Sequence, residues 1–168
     1  MRIIVLTSRF PFPLDKGDKL RAFHQIKHLS EINDIHLISI TDKTVSNEQI
    51  KELELYCSSV NVFKLKKWKI VLNLFLGLFS NKPFQVKYFY QRAVHKKIKK
   101  LINKIKPEHI FCQLIRCVPY VQHEHHYSKT LDYMDAFSKG IERRIENGGW
   151  YKPLFKIEAV RLVKYENL

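Results

Sequence analysis

The sequence predicts an α/β fold with a doubly wound, mostly parallel, Rossmann-like sheet, on three observations. The first segment, Ile3-Ile-Val-Leu6, is continuously apolar and β-branched, as a strand covered on both faces must be. Strand-like and helix-like stretches then alternate along the chain, which implies parallel strands joined by right-handed crossovers. Finally, 168 residues with 45% hydrophobic and 27% charged content make one packed domain, not a disordered tail.

Each element follows in order. After the first strand, Thr7 to Gly17 is a loop with Pro11 and Pro13, and Asp18 opens a helix to about Glu31 with Leu20, Phe23, Ile26 and Leu29 at helical spacing. Ile35 to Ile40 alternates as a strand, Ser46 caps a helix over 47–56, and Val60 to Phe63 returns as a strand. A basic helical stretch extends to about Ile105. His109 to Gln113 is expected as a fourth strand, Thr130 to Met134 as a fifth, and the remainder as helix. The strongly helical pattern from Lys152 reaches Leu168 without a stop signal, so the chain is expected to be part of a longer protein.

Ligands of such sheets bind beyond the carboxyl ends of the strands, which directs attention to the loops Ser8 to Gly17, Leu114 to Tyr120 and Asp135 to Ser138. In the first, Gly17 lets a ligand approach the backbone at a helix amino terminus, and Lys16 and Arg21 add positive charge; a capped turn is the plainer alternative. The loop is neither a G-x-G-x-x-G fingerprint nor a Walker A loop, which excludes a standard dinucleotide site and an ATPase. Asp135 is expected at the cleft, where it would orient a hydroxyl or take a proton; alternatively Asp135 or Ser138 caps the next helix. His24 with His28, and His123 to His126, lack a convincing third ligand, so no metal is expected.

The net charge of +14 is concentrated in one interval. No acidic residue stands between Glu54 and Glu108, whereas thirteen Lys and Arg do, among them Lys66, Lys67, Lys69, Lys96, Lys97 and Lys100. Trp68 and Phe75 lie beside these lysines, in or just before the apolar run Ile70 to Phe79. That run would be about 15 Å long as a helix, half of a bilayer core, so it cannot span. Aromatic and apolar groups among lysines suit an anionic membrane surface, and the plainer alternative is a solvated face over a buried run. Nucleic acid is disfavoured as a partner, because no recognition motif is present and Lys outnumbers Arg. Cys57, Cys112 and Cys117 are an odd number without a C-x-x-C pair, each among apolar neighbours. With no signal-peptide pattern, they predict a reduced, cytoplasmic protein.

Four ordered segments carry a family resemblance: Ser8 to Lys27, with its Phe-Pro-Phe-Pro-Leu-Asp-Lys-Gly-Asp core; Cys112 to Arg116 with Tyr120; Leu131 to Ser138; and Glu158 to Glu166. Together they resemble the amino-terminal half of bacterial retaining glycosyltransferases of group 1, family 4, which have the two-domain GT-B fold, in the branch serving exopolysaccharide export. The resemblance implies a single acceptor-side domain over 1–168, with a nucleotide-sugar-binding carboxyl-terminal domain outside this chain. It implies sugar transfer from a nucleotide diphosphate sugar to a glycan or lipid-linked acceptor, with retention and without metal or other cofactor. Gly17 then matches the loop glycine that approaches the donor phosphates, with Lys16 and Asp18 beside it, while Arg116, Asp135 and Ser138 line the acceptor side. Relatives often carry two glycines in this loop, and this chain has Lys16 and Asp18 about a single one. A basic membrane-surface or nucleic-acid-binding module without enzymatic activity is the alternative function.

Overall fold

A computed structural model describes residues 1–133 and 152–166. In these, five strands form one sheet: β1 (Arg2–Thr7), β2 (Asp34–Thr41), β3 (Ser59–Lys64), β4 (His109–Gln113) and β5 (Ser128–Asp132). The order is β3-β2-β1-β4-β5 and every pairing is parallel, so the sheet is Rossmann-like and its first strand is central. Ile3 pairs with Ile35 on one side and His109 on the other.

Helices cover both faces because the strands are apolar on both. Ile3, Val5, Ile35 and Leu37 pack against Ile26 of α1 (Gly17–Ser30) and Leu53 of α2 (Asn47–Glu54). Ile4, Leu6, Ile38, Ile40 and Ile110 point the other way, against Ile70 of α3 (Lys67–Leu78), Phe89 of α4 (Phe84–Phe89) and Ile98 and Ile102 of α5 (Arg92–Ile105). Ile98 and Ile102 are wholly buried, each contributing about 1.5–3 kcal/mol by area removed from water. Ser46 forms the expected cap of α2 as a full capping box with Gln49.

Three expectations need correction. The basic stretch is three helices, not one, because Ser80-Asn-Lys-Pro83 interrupts it before α4 and the extended residues Tyr90 and Gln91 separate α4 from α5. The fifth strand comes two residues earlier than Thr130 to Met134. Its polar Ser128 and Thr130 resemble a turn in sequence, but their hydroxyls bond both ring nitrogens of His109, at 3.1 and 3.0 Å. A 3-10 segment, Ile115–Tyr120, follows β4 where a plain loop was expected.

The last helix, α6 (Lys152–Glu166), holds α3 and α4 together. Its Glu158 carboxylate accepts the Phe84 and Gln85 N–H groups at 2.8 and 3.3 Å, satisfying donors left over at the start of α4. One turn on, the Arg161 guanidinium donates to the Gly77 and Leu78 carbonyls at the end of α3, at 2.9 and 3.2 Å. An acid on a helix amino terminus and a base on a carboxyl terminus both match the helix dipole.

Candidate functional site

The chain runs from β1 outward through β2 and β3, then returns to β4 on the other side of β1. Loops leaving β1 and β4 therefore diverge, and a crevice opens between them at the carboxyl edge. Gln113 at the end of β4 is buried and donates across this crevice to the Asp18 carbonyl at 2.7 Å. The next residue, Leu114, holds φ 70° and ψ 150°, a region nearly reserved for glycine. That conformation costs about 1–3 kcal/mol and turns the chain sharply, so that Arg116 returns over the sheet edge. Thr7 Oγ1 and Ser8 Oγ, at the end of β1, are buried with no hydrogen-bond partner.

A cavity of about 1000 Å³ lies at this edge. Its lining includes Arg9 from the loop after β1, Lys16 before α1, Asp42 and Lys43 from the loop after β2, and Arg116. Apolar side chains of α3, α4 and α6, among them Leu74, Phe84 and Phe155, line the same space. Arg116 is fixed in place: two of its nitrogens donate to Gln85 Oε1 at 3.1 and 2.6 Å, and its guanidinium lies 5.0 Å from the Phe89 ring centre. Burial, then repulsion from Arg9, lowers its pKa to about 10, which leaves it charged at neutral pH. Arg9 pairs with Asp18 at 2.6 Å, and Asp42 accepts from the Tyr88 hydroxyl at 2.7 Å. The bond to Asp42, followed by burial, raises the Tyr88 pKa and keeps that phenol protonated.

Of the residues expected to converge, Lys16 and Arg116 line this cavity together. Asp18 stands one ion pair away, on Arg9. Gly17 opens α1, with no atom within 4 Å of where a Cβ would stand, so space over this backbone is open. Arg21 needs correction: its guanidinium is drawn by the carboxylate of Asp132 at the end of β5, at 2.9 and 3.0 Å, and it lines a separate shallow depression with His24 and His28. Asp135 and Ser138 lie outside the described residues. Among the described residues no group of three His, Cys, Asp or Glu is placed to hold a metal ion.

Arg9, Asp42, Lys43, Gln85 and Glu158 were not anticipated at the site. Arg9 and Asp42-Lys43 could have been, since each follows directly on the carboxyl end of a strand. Gln85 and Glu158 arrive through helix packing, for which the sequence carries no marker.

The lysine-rich interval is largely on the surface. Lys66, Lys67, Lys96, Lys97 and Lys100 are exposed, whereas Lys69 is half-buried, its ammonium 5.2 Å over the Trp68 ring. The apolar run is not buried against the sheet. Only Ile70 and Gly77 of α3 are, while Trp68 is 61%, Phe75 59% and Phe79 82% exposed. Among the described residues no helix is long and apolar enough to cross a membrane.

Set against known protein families and against curated proteins, the chain matches none. Among solved structures it is similar to the C-terminal domain, residues 78–226, of a hydrogenase from Pyrococcus furiosus, with TM-score 0.51 and 14% identity. That likeness covers 78% of this chain and 89% of the other, and it is a likeness of fold. A second structure of the same domain, residues 83–215, gives TM-score 0.49 and 15% identity over 78% and 90% of the two chains.

Proposed function

We propose that this chain is the acceptor-side domain of a retaining glycosyltransferase of the GT-B type, moving a sugar from a nucleotide diphosphate sugar to a glycan or lipid-linked acceptor. The observation that carries the reading is the cavity at the crevice between β1 and β4, where Lys16 and Arg116, taken from two of the segments that resemble the family, face one space. In the reaction the bond from the anomeric carbon to the diphosphate breaks, a bond to the acceptor oxygen forms on the same face of the sugar, and the hydroxyl proton passes to the departing diphosphate. Asp135 orients that hydroxyl. Charge developing on the diphosphate is stabilised by fixed cations and helix N–H groups, mostly in a second domain.

The protein works at the cytoplasmic face of an anionic membrane in this reading. The exposed face of α3, with Trp68 and Phe75, and the lysines of α5 lie on the same side of the sheet, which supports it. A binding module without catalysis is the alternative.

The test is made on the whole reading frame, which is expected to continue past Leu168 with a second Rossmann pattern. Incubated with a panel of nucleotide sugars and membrane extract, the product should release nucleotide diphosphate from one of them. Asp135→Asn should cut turnover at least tenfold and leave the melting temperature unchanged. A frame without a second Rossmann pattern, or no donor consumed by any member of the panel, would overturn the reading in favour of the binding module.

A further inference from the structure

The cavity at the sheet edge is chemically mixed. Among the described residues its cations, Arg9, Lys16, Lys43 and Arg116, come from strand-end loops and outnumber its two carboxylates, Asp42 and Glu158, with Arg9 also paired to Asp18 outside the lining. Both carboxylates are already engaged, one by Tyr88 and the other by two backbone N–H groups. Gln85 likewise spends its carbonyl oxygen on Arg116. Among the described lining residues, few polar groups are left to meet the many hydroxyls of a free sugar. The helix walls are largely apolar and continue onto the surface, since Val71, Phe75 and Leu78 line the cavity while being 68%, 59% and 51% exposed.

Cations and apolar walls that line one space complement a molecule that carries an anionic head on an apolar chain. Within the glycosyltransferase reading, and resting on it for the role assigned, we propose that this cavity takes a long-chain phosphate, its anionic head between Arg9, Lys43 and Arg116 and its chain along α3, α4 and α6. The Arg116 fork is already held by Gln85, so little ordering is needed on binding. The chain reaches the cavity across the exposed face of α3, the same face expected to meet a lipid surface. The acceptor class is thereby narrowed to a hydroxyl carried on a long-chain phosphate.

Calorimetric titration of the 168-residue chain with dodecyl phosphate, below its micellar concentration, tests this. Binding is expected at one per chain and at least tenfold tighter than inorganic phosphate, dodecyl maltoside or dodecyltrimethylammonium. Lys43→Gln and Leu78→Asp change exposed positions and should each weaken it at least fivefold, with melting temperatures held, while Lys51→Gln on α2 leaves it unchanged. Vesicles containing a phosphate-headed lipid identify the source: competition with dodecyl phosphate supports a lipid drawn from the membrane, and binding without competition supports a soluble long-chain phosphate. Dodecyl phosphate binding no tighter than the cationic or neutral amphiphile, or binding indifferent to both Lys43→Gln and Leu78→Asp, overturns the proposal. Sugar transfer to a short soluble acceptor without amphiphile binding would sink this inference and leave the enzyme reading standing; amphiphile binding in a protein that consumes no donor would do the reverse.

Discussion

Glu158 is a carboxylate 4% exposed, and the protein keeps it because two backbone N–H groups at the start of α4 have no other partner. Burial raises its pKa above the usual 4.5, and the two N–H bonds and Arg161 offset only part of that rise. The folded state therefore holds the proton more tightly than the unfolded chain. Its favourable contribution is full below pH 4.5 and is lost as pH rises through the elevated native pKa. Urea unfolding measured between pH 4 and pH 7 should show the wild type losing stability over that window relative to Glu158→Gln; identical slopes in the two proteins would refute this. Glu158→Ala should cost about 1–3 kcal/mol at any pH in this range, because both N–H groups are then orphaned. The cysteines obey the same desolvation logic. Burial pushes the Cys57 and Cys112 thiols up to about 12 and Cys117 well above its usual value, so at pH 8 all three should resist Ellman's reagent until denaturant is added.

At the scale of elements, the α3–α4 hairpin is set by one close approach. A Cβ on Gly77 would stand 3.1 and 3.2 Å from the Phe84 ring, and that ring has the Arg161 guanidinium 5.0 Å from its centre. Alanine gains about 1 kcal/mol of helix propensity over glycine but presses on a confined ring, so Gly77→Ala should change stability by less than about 1 kcal/mol. Valine adds two methyl groups where one carbon is already tight, and Gly77→Val should lose about 1–3 kcal/mol in chemical denaturation. Equal stabilities for the valine variant and the wild type would show that α4 shifts freely, and hence that the apolar wall of the cavity is not fixed.

For the whole molecule, the lysines of α5 and the exposed side of α3 present charge and apolar area from the same side of one sheet. Each lysine near an anionic leaflet contributes about 1 kcal/mol, and inserted Trp68 and Phe75 add burial that salt does not screen. Lys69, held over the Trp68 ring, contributes less to this field than its neighbours. Sedimentation with vesicles should accordingly require anionic lipid and weaken as salt rises from low to physiological strength, where exposed charges are screened over about 8 Å. The double variant Trp68→Asp with Phe75→Asp should lose most of the remaining binding. Failure to bind anionic vesicles at low salt would reduce the lysines to a solvated face.

What the sequence determined by itself is the sheet and its winding. Ile3 to Leu6 could only be a central strand, the alternation of elements demanded parallel pairing, and Ser46 with Gln49 announced the start of α2, because these signals are local and repeat at the period of the backbone. It also put Lys16 and Arg116 at the carboxyl edge, since that edge follows from strand direction. Burial of α3 could not be read this way: a run apolar on every side looks the same whether a neighbour covers it or not. Arg21 was misplaced for a related reason, as its partner Asp132 stands 111 residues away and no spacing rule connects them. The tertiary structure alone decided where Glu158 and Arg161 would act, because a helix terminus has free donors or acceptors in every sequence, and only packing brings a distant side chain to satisfy them.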